Sequence, residues 1–132
     1  MLKPNVDFSV SVKGEVSGKD YTGLFTARTA LSFKARLKED EIYRITLGAN
    51  PADASPFAQS VAQAFAYLAV RITESPSFWK ESQGGLELGG DDNVLVEVHK
   101  ACVDEIEKAY KAFREEGQVA KVELQKNEPQ PA

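Results

Sequence analysis

The most reactive side chains in the sequence are His99 and Cys102, three positions apart. On a helix that spacing lets them meet, and a thiolate beside an imidazole is a nucleophile pattern. The neighbouring residues favour a quieter role. Cys102 falls on an apolar stripe with Leu95, Val98, Ile106, Ala109 and Phe113, where cysteine behaves as a small hydrophobe. His99 sits at the edge of that stripe. A position in mid-helix also lacks the helix-terminal field that lowers a thiol pKa. Acidic residues cluster at Glu39-Asp40-Glu41, Asp91-Asp92 and Asp104-Glu105-Glu107. Paired acids can serve general acid–base chemistry, but they are more often solvated helix faces or partners of a helix N-terminus. Asp91-Asp92 suits the second use, because a helix starts there. One histidine and one cysteine cannot build a structural zinc site of the usual kind, and the acids do not follow an EF-hand spacing. The glycines from Gly84 to Gly90 form no phosphate-binding motif and follow no convincing strand. No catalytic residue, cofactor or metal is therefore expected, and the chain is read as a non-enzyme.

Phe78-Trp79 is the more informative pair. Two large aromatics stand beside Pro76, outside the helical stripes. Buried, they would plug the end of a bundle. Exposed, they would form a contact patch, since tryptophan is enriched at binding hot spots. Leu86 and Leu88 lie close enough in sequence to extend such a patch. Tyr67 lies off the main stripe of its own helix. Tyr67, Phe78, Trp79, Leu86 and Leu88 are thus the candidate partner-binding residues.

The elements that would position them follow from periodicity. Val6, Phe8, Val10 and Val12 alternate with Asp7, Ser9, Ser11 and Lys13, the pattern of a half-buried strand. Gly14 marks a bulge or an early end, and Ser17-Gly18-Lys19 supplies a turn. A second strand over about 20–27 completes a hairpin. Ser32 is a plausible N-cap, and Arg36–Asp40 and Asp40–Arg44 are opposite charges at helical spacing, so a helix is expected over about 32–47. Alternation of Leu31, Phe33, Ala35 and Leu37 leaves a strand over residues 29–38, followed by a short helix from about 40, as the other reading. Gly48-Ala49-Asn50-Pro51 reads as a stop. Ser55-Pro56 opens a second helix, expected over 56–74, with Phe57, Val61, Phe65, Leu68 and Ile72 as its apolar stripe and many alanines between them. One short helical turn is expected within Ser75-Pro76-Ser77-Phe78-Trp79-Lys80, and Leu86 and Leu88 are expected to pin the glycine-rich loop. The last helix is expected over 92–116, with Asp104–Lys108 and Glu107–Lys111 pairs, ending at Gly117 as a C′ residue. The fold class is α+β: an N-terminal β-hairpin, about 6–27, packed on a bundle of three main helices. Residues 1–117 make a single domain and 118–132 a polar tail expected to fray.

Composition narrows the function. A net charge of -4 and a pI near 5.1 argue against nucleic acid, which requires a basic stripe. One cysteine permits no internal disulfide and points to a reducing compartment. The first residues lack the apolar core of a signal peptide, and the stretch from Val61 to Val70 is too short to span a bilayer. The expected location is cytoplasmic.

The sequence also resembles the small tail assembly chaperones of long-tailed bacteriophages over about residues 8–110. The resemblance is carried by Gly18-Lys19-Asp20-Tyr21-Thr22-Gly23-x-Phe25, by Leu47-Gly48-Ala49-Asn50-Pro51, and by Ala69-Val70-Arg71-Ile72-x-x-Ser75-Pro76-x-Phe78-Trp79-Lys80. It continues in Gly84-Gly85-Leu86-x-Leu88 and Asp92-Asn93-Val94-Leu95. None of these is a catalytic signature. The resemblance implies a protein of the host cytoplasm that coats the helical tape measure protein and keeps it soluble until tail tube subunits polymerise around it. It also implies that such a chain can exist in a longer, frameshifted form that recruits tail tube protein. A virion structural protein, such as a head–tail connector or tail-associated subunit, is the alternative. Self-association is left open by both readings.

Overall fold

The computed structural model describes residues 1–48 and 50–127, and its architecture is α+β. Strand β1 (Asn5–Lys13) pairs antiparallel with β2 (Asp20–Arg28) in one unbroken register, Asn5 opposite Arg28 and Lys13 opposite Asp20. The even residues Val6, Phe8 and Val10 are buried and the odd ones exposed, as period-two patterning requires. Phe8 and Phe25 stack across the strands with centroids 5.1 Å apart. β1 ends at Lys13 and the turn closes at Gly18, whose N–H donates to the Gly14 carbonyl at 3.0 Å.

Helix α1 (Phe33–Leu47) settles the reading left open for residues 29–38: only its first six positions fall there, and they are helical. Ser32 caps it by accepting from the Ala35 N–H at 3.1 Å, and Gly48 ends it at φ 64. Of its expected ion pairs, Asp40–Arg44 forms at 2.8 Å. Ala49, part of the expected stop, lies outside the described residues. Helix α2 (Pro56–Arg71) begins as expected, Ser55 accepting from the Ala58 N–H. It stops sooner than expected. Ile72 is already extended, and Ile72–Glu74 forms a third strand, β3, on the open edge of β2. The β-branched pair Ile72-Thr73 before Ser75-Pro76 disfavours helix, and β2 offers unpaired backbone groups at Thr26 and Ala27. The sheet order is β1-β2-β3.

The apolar stripe expected on α2 is also redistributed. Leu68 is buried, but Phe57 is exposed and Val61 and Phe65 are half-buried; the fully covered positions are Ala62, Ala64 and Ala66. α2 packs against both α1 and the last helix, α4 (Asp92–Asn127), and short side chains let both neighbours approach. Helix α4 runs beneath β1, burying Val94, Leu95, Val98, Cys102 and Ile106 against the sheet. It passes through Gly117 without interruption, contrary to the expected end at 116. Glycine in mid-helix costs roughly 1 kcal/mol, and the good helix formers on both sides, from Ala112 to Glu116 and from Ala120 to Leu124, outweigh it. Residues 118–127 of the expected frayed tail are therefore helical; residues 128–132 lie outside the described residues. On α4, Lys108 pairs with Glu105 at 3.0 Å in place of the expected Asp104. No helix among the described residues is long and apolar enough to cross a membrane.

Asp91 ties the hairpin turn to the start of α4. Its carboxylate has no solvent exposure. It accepts from the Val16 N–H at 2.8 Å, the Ser17 N–H at 2.9 Å, the Ser17 hydroxyl at 2.5 Å and the Tyr21 hydroxyl at 2.7 Å. Gly14 is required beside it, because a Cβ there would overlap the carboxylate. The hydroxyls of Ser17 and Tyr21, with the backbone of the turn, hold Asp91 well below the usual carboxylate range. The same contact raises the Tyr21 pKa. Asp91 thus does more than complement a helix dipole.

The turn after α3 (Ser77–Glu81) is equally demanding. Gly85 has φ 94, and a Cβ there would lie 2.6 Å from Cη2 of Trp79 and 2.9 Å from Cδ1 of Leu95. Gly85→Ala is expected to cost about 2–4 kcal/mol, the sum of left-handed strain and overpacking, measured by urea denaturation.

Candidate protein-binding groove

A groove of about 720 Å³ opens where α1 and α4 flank α2. Beneath it runs a chain of contacts that joins all three helices. Arg71, at the end of α2, reaches Glu39 of α1 with Nη1 2.6 Å from Oε1. Its guanidinium lies 3.6 Å over the Tyr67 ring. Tyr67 in turn meets His99 of α4 edge to face, centroids 5.0 Å apart. Both ends of the Arg71–Glu39 pair are largely covered, so this contact fixes α1 on α2 more firmly than an exposed pair would. The partners are 32 residues apart, which is why helical spacing rules do not find them.

The walls carry apolar side chains open to solvent. Phe57 at the start of α2 is 65% exposed and Val96 on α4 is 45% exposed. Tyr43, Val61 and Tyr67 are half-buried between them. Arg36, Asp40 and Gln63 supply a polar border.

Burial sets the protonation states here. It pushes the Tyr67 hydroxyl up to about 12 and the Cys102 thiol up to about 11. It lowers the His99 pKa, with the Arg71 charge acting in the same direction. At neutral pH the pair is therefore a buried thiol and a neutral imidazole, the imidazole packed on Tyr67. A thiol held protonated in this way is not an activated nucleophile.

The five residues singled out in the sequence do not converge. Tyr67 lies on the groove floor. Phe78 is half-buried on the sheet side, edge-on to Tyr21 and Phe25 at 5.2 and 6.1 Å. Trp79 is 4% exposed and meets Phe25 edge to face at 5.4 Å; Leu88 is buried in the same core. Leu86 remains at the surface, 44% exposed. Trp79 and Leu88 are thus core residues; Phe78 and Leu88 line a shallow cavity beside Tyr21, away from the groove, that neither Trp79 nor Leu86 lines. Phe57 and Val96 are the most exposed of the apolar groove residues that sequence reasoning did not assign to a binding face; half-buried Tyr43 is another. Phe57 sits on the expected α2 stripe and so reads as core, whereas Val96 falls off the α4 stripe, the one signal that could have marked it.

Compared with protein-family models, with curated proteins and with solved structures, the chain has no significant match in any of the three.

Proposed function

We propose that this protein is a non-enzymatic tail assembly chaperone of a long-tailed bacteriophage, which seats an apolar helical face of the tape measure protein in the α1–α2–α4 groove. The observation that supports this reading is the groove itself, with Phe57 and Val96 left open around Tyr67 and a polar border. An amphipathic helix laid into such a groove buries its apolar face while its polar face stays wet. Holding that face covered in the host cytoplasm keeps the tape measure protein from aggregating until tail tube subunits arrive. The sequence resemblance to small tail assembly chaperones supports the same reading independently of the groove. The binding residues it assigns are Tyr67, Phe57 and Val96 in place of Trp79 and Leu88.

Co-expression with the tape measure protein tests it. The wild-type chain is expected to raise the soluble yield of its partner. Phe57→Asp and Val96→Asp are each expected to weaken binding by roughly 10-fold or more, since a carboxylate would be desolvated in the complex. Both positions are exposed in the free protein, so stability should stay within about 0.5 kcal/mol of wild type. No gain in solubility, or variants that bind as wild type does, would overturn the reading. Recovery of the chain in purified particles would favour a virion component.

A further inference from the structure

β1 is an outer strand of the sheet, and the ends of the β1–β2 ladder show which of its backbone groups are unpaired. The Gly14 N–H donates to the Lys19 carbonyl at 2.8 Å, and the Thr29 N–H donates to the Pro4 carbonyl at 3.0 Å. Both bonds follow the register that pairs Asn5 with Arg28. Even-numbered β1 residues therefore aim their backbone groups at β2. Odd-numbered ones, from Asn5 to Lys13, turn N–H and C=O to the open side. From that side Asn93 Nδ2 donates to the Lys13 carbonyl at 2.9 Å. Among the described residues no other hydrogen bond reaches this row. The edge also lacks the usual guards: Phe8-Ser9-Val10-Ser11-Val12 has no proline and no charge, and its register has no bulge.

We infer that two copies of the chain join through β1, antiparallel about a two-fold axis at Val10, so that their sheets become one. Odd residues must meet odd residues, because only they turn backbone groups to the open side; the Lys13 carbonyl, which already accepts from Asn93, keeps a second lone pair. Within that rule, charge selects the register. With the axis at Val10, Asp7 of each copy lies opposite Lys13 of the other, Ser9 lies opposite Ser11, and Phe8 meets Val12 on the apolar face. With the axis at Ser9, Asp7 faces Ser11; with the axis at Phe8, Asp7 faces Ser9. Asp7 and Lys13 are the only charges on the strand, and the Val10 axis places both directly opposite a counter-charge. The Asp7 carboxylate is already held on the outer face by the Thr26 hydroxyl at 2.7 Å. The contact is isologous and closes on itself, so it stops at a dimer.

Sedimentation equilibrium on the full chain tests this with a charge swap. Asp7→Lys alone sets lysine against Lys13, and Lys13→Asp alone sets aspartate against Asp7, each twice per dimer. Either variant is expected to self-associate roughly 10-fold or more weakly than wild type. An equimolar mixture of the two variants places every charge opposite its complement and is expected to form a heterodimer of near wild-type affinity. The double variant Asp7→Lys/Lys13→Asp is expected to regain self-association. Both side chains are exposed, and circular dichroism confirms that each variant is folded. A wild-type chain that stays monomeric up to about 200 µM overturns the inference. So do single variants that dimerise as wild type does, or a mixture that fails to pair. No groove-lining residue lies on β1, so these results and those for Phe57→Asp report on separate surfaces.

Discussion

Trp79→Ala is expected to lower the unfolding free energy by about 3–5 kcal/mol, the range for a large aromatic removed from a packed core. Its indole closes the core between Phe25, Phe78 and the Gly85 backbone. The neighbours are poorly placed to fill the void. Gly85 has no side chain to move, and Phe25 is already stacked on Phe8. A loss of that size is a large share of the roughly 5–15 kcal/mol that holds a domain of this size folded. Urea denaturation should show the midpoint falling sharply. Binding measured on the folded fraction should be unchanged, because Trp79 does not line the groove. A Trp79 at a contact surface would behave in the opposite way, losing affinity while keeping its melting point. The comparison with Phe57→Asp therefore separates the core from the proposed binding face: one variant loses stability, the other loses affinity.

The contrast between Trp79 and Phe57 also shows what the sequence could and could not convey. Both are large aromatics near a proline, and each lies where its local pattern misleads. Phe57 fits a helical stripe yet is exposed, because α1 leaves the start of α2 uncovered on that side. Trp79 fits no stripe yet is buried, because the chain folds back over the sheet after Pro76. Signals contained within a few residues were legible: the alternation in β1, the caps Ser32 and Ser55, the stop at Gly48 and the amphipathic first half of α4. Features that depend on distant partners were not. β3 forms because β2 has an open edge more than forty residues earlier, as the Thr26–Glu74 pairing records. α4 continues through Gly117 because the helix formers after it outweigh one unfavourable residue. The Arg71–Glu39 contact that fixes α1, and with it one groove wall, joins positions 32 residues apart. The groove was hidden for the same reason. Its floor residue Tyr67 is recognisable as lying off-stripe, but its walls exist only once three helices have been placed.

Asp91 carries the second large effect, and its signature is dependence on pH. Four donors converge on a carboxylate that water does not reach. They favour the ionised form, so its pKa in the folded protein lies below the unfolded value near 4. A group depressed in this way stabilises the fold fully above its unfolded pKa. That contribution disappears as pH falls from about 4 towards the folded pKa, because the unfolded chain takes up the proton first. His99, lowered by burial, adds a loss of the same sign in the window just below its unfolded value near 6.5. The wild-type melting temperature should therefore decline in two stages on acidification. Asp91→Asn removes the lower stage: its melting temperature should be reduced at pH 7 and nearly flat below about pH 4. Asp91→Ala should fall further at pH 7, because it removes the acceptor that all four donors share and leaves a void where the carboxylate packed. Calorimetry from about pH 2 to pH 8 on the three proteins reads both effects. An acid decline that persists unchanged in Asp91→Asn would show that the carboxylate is not the group that titrates. A retained decline near pH 6 in that variant would instead isolate the His99 stage, which Asp91 does not touch.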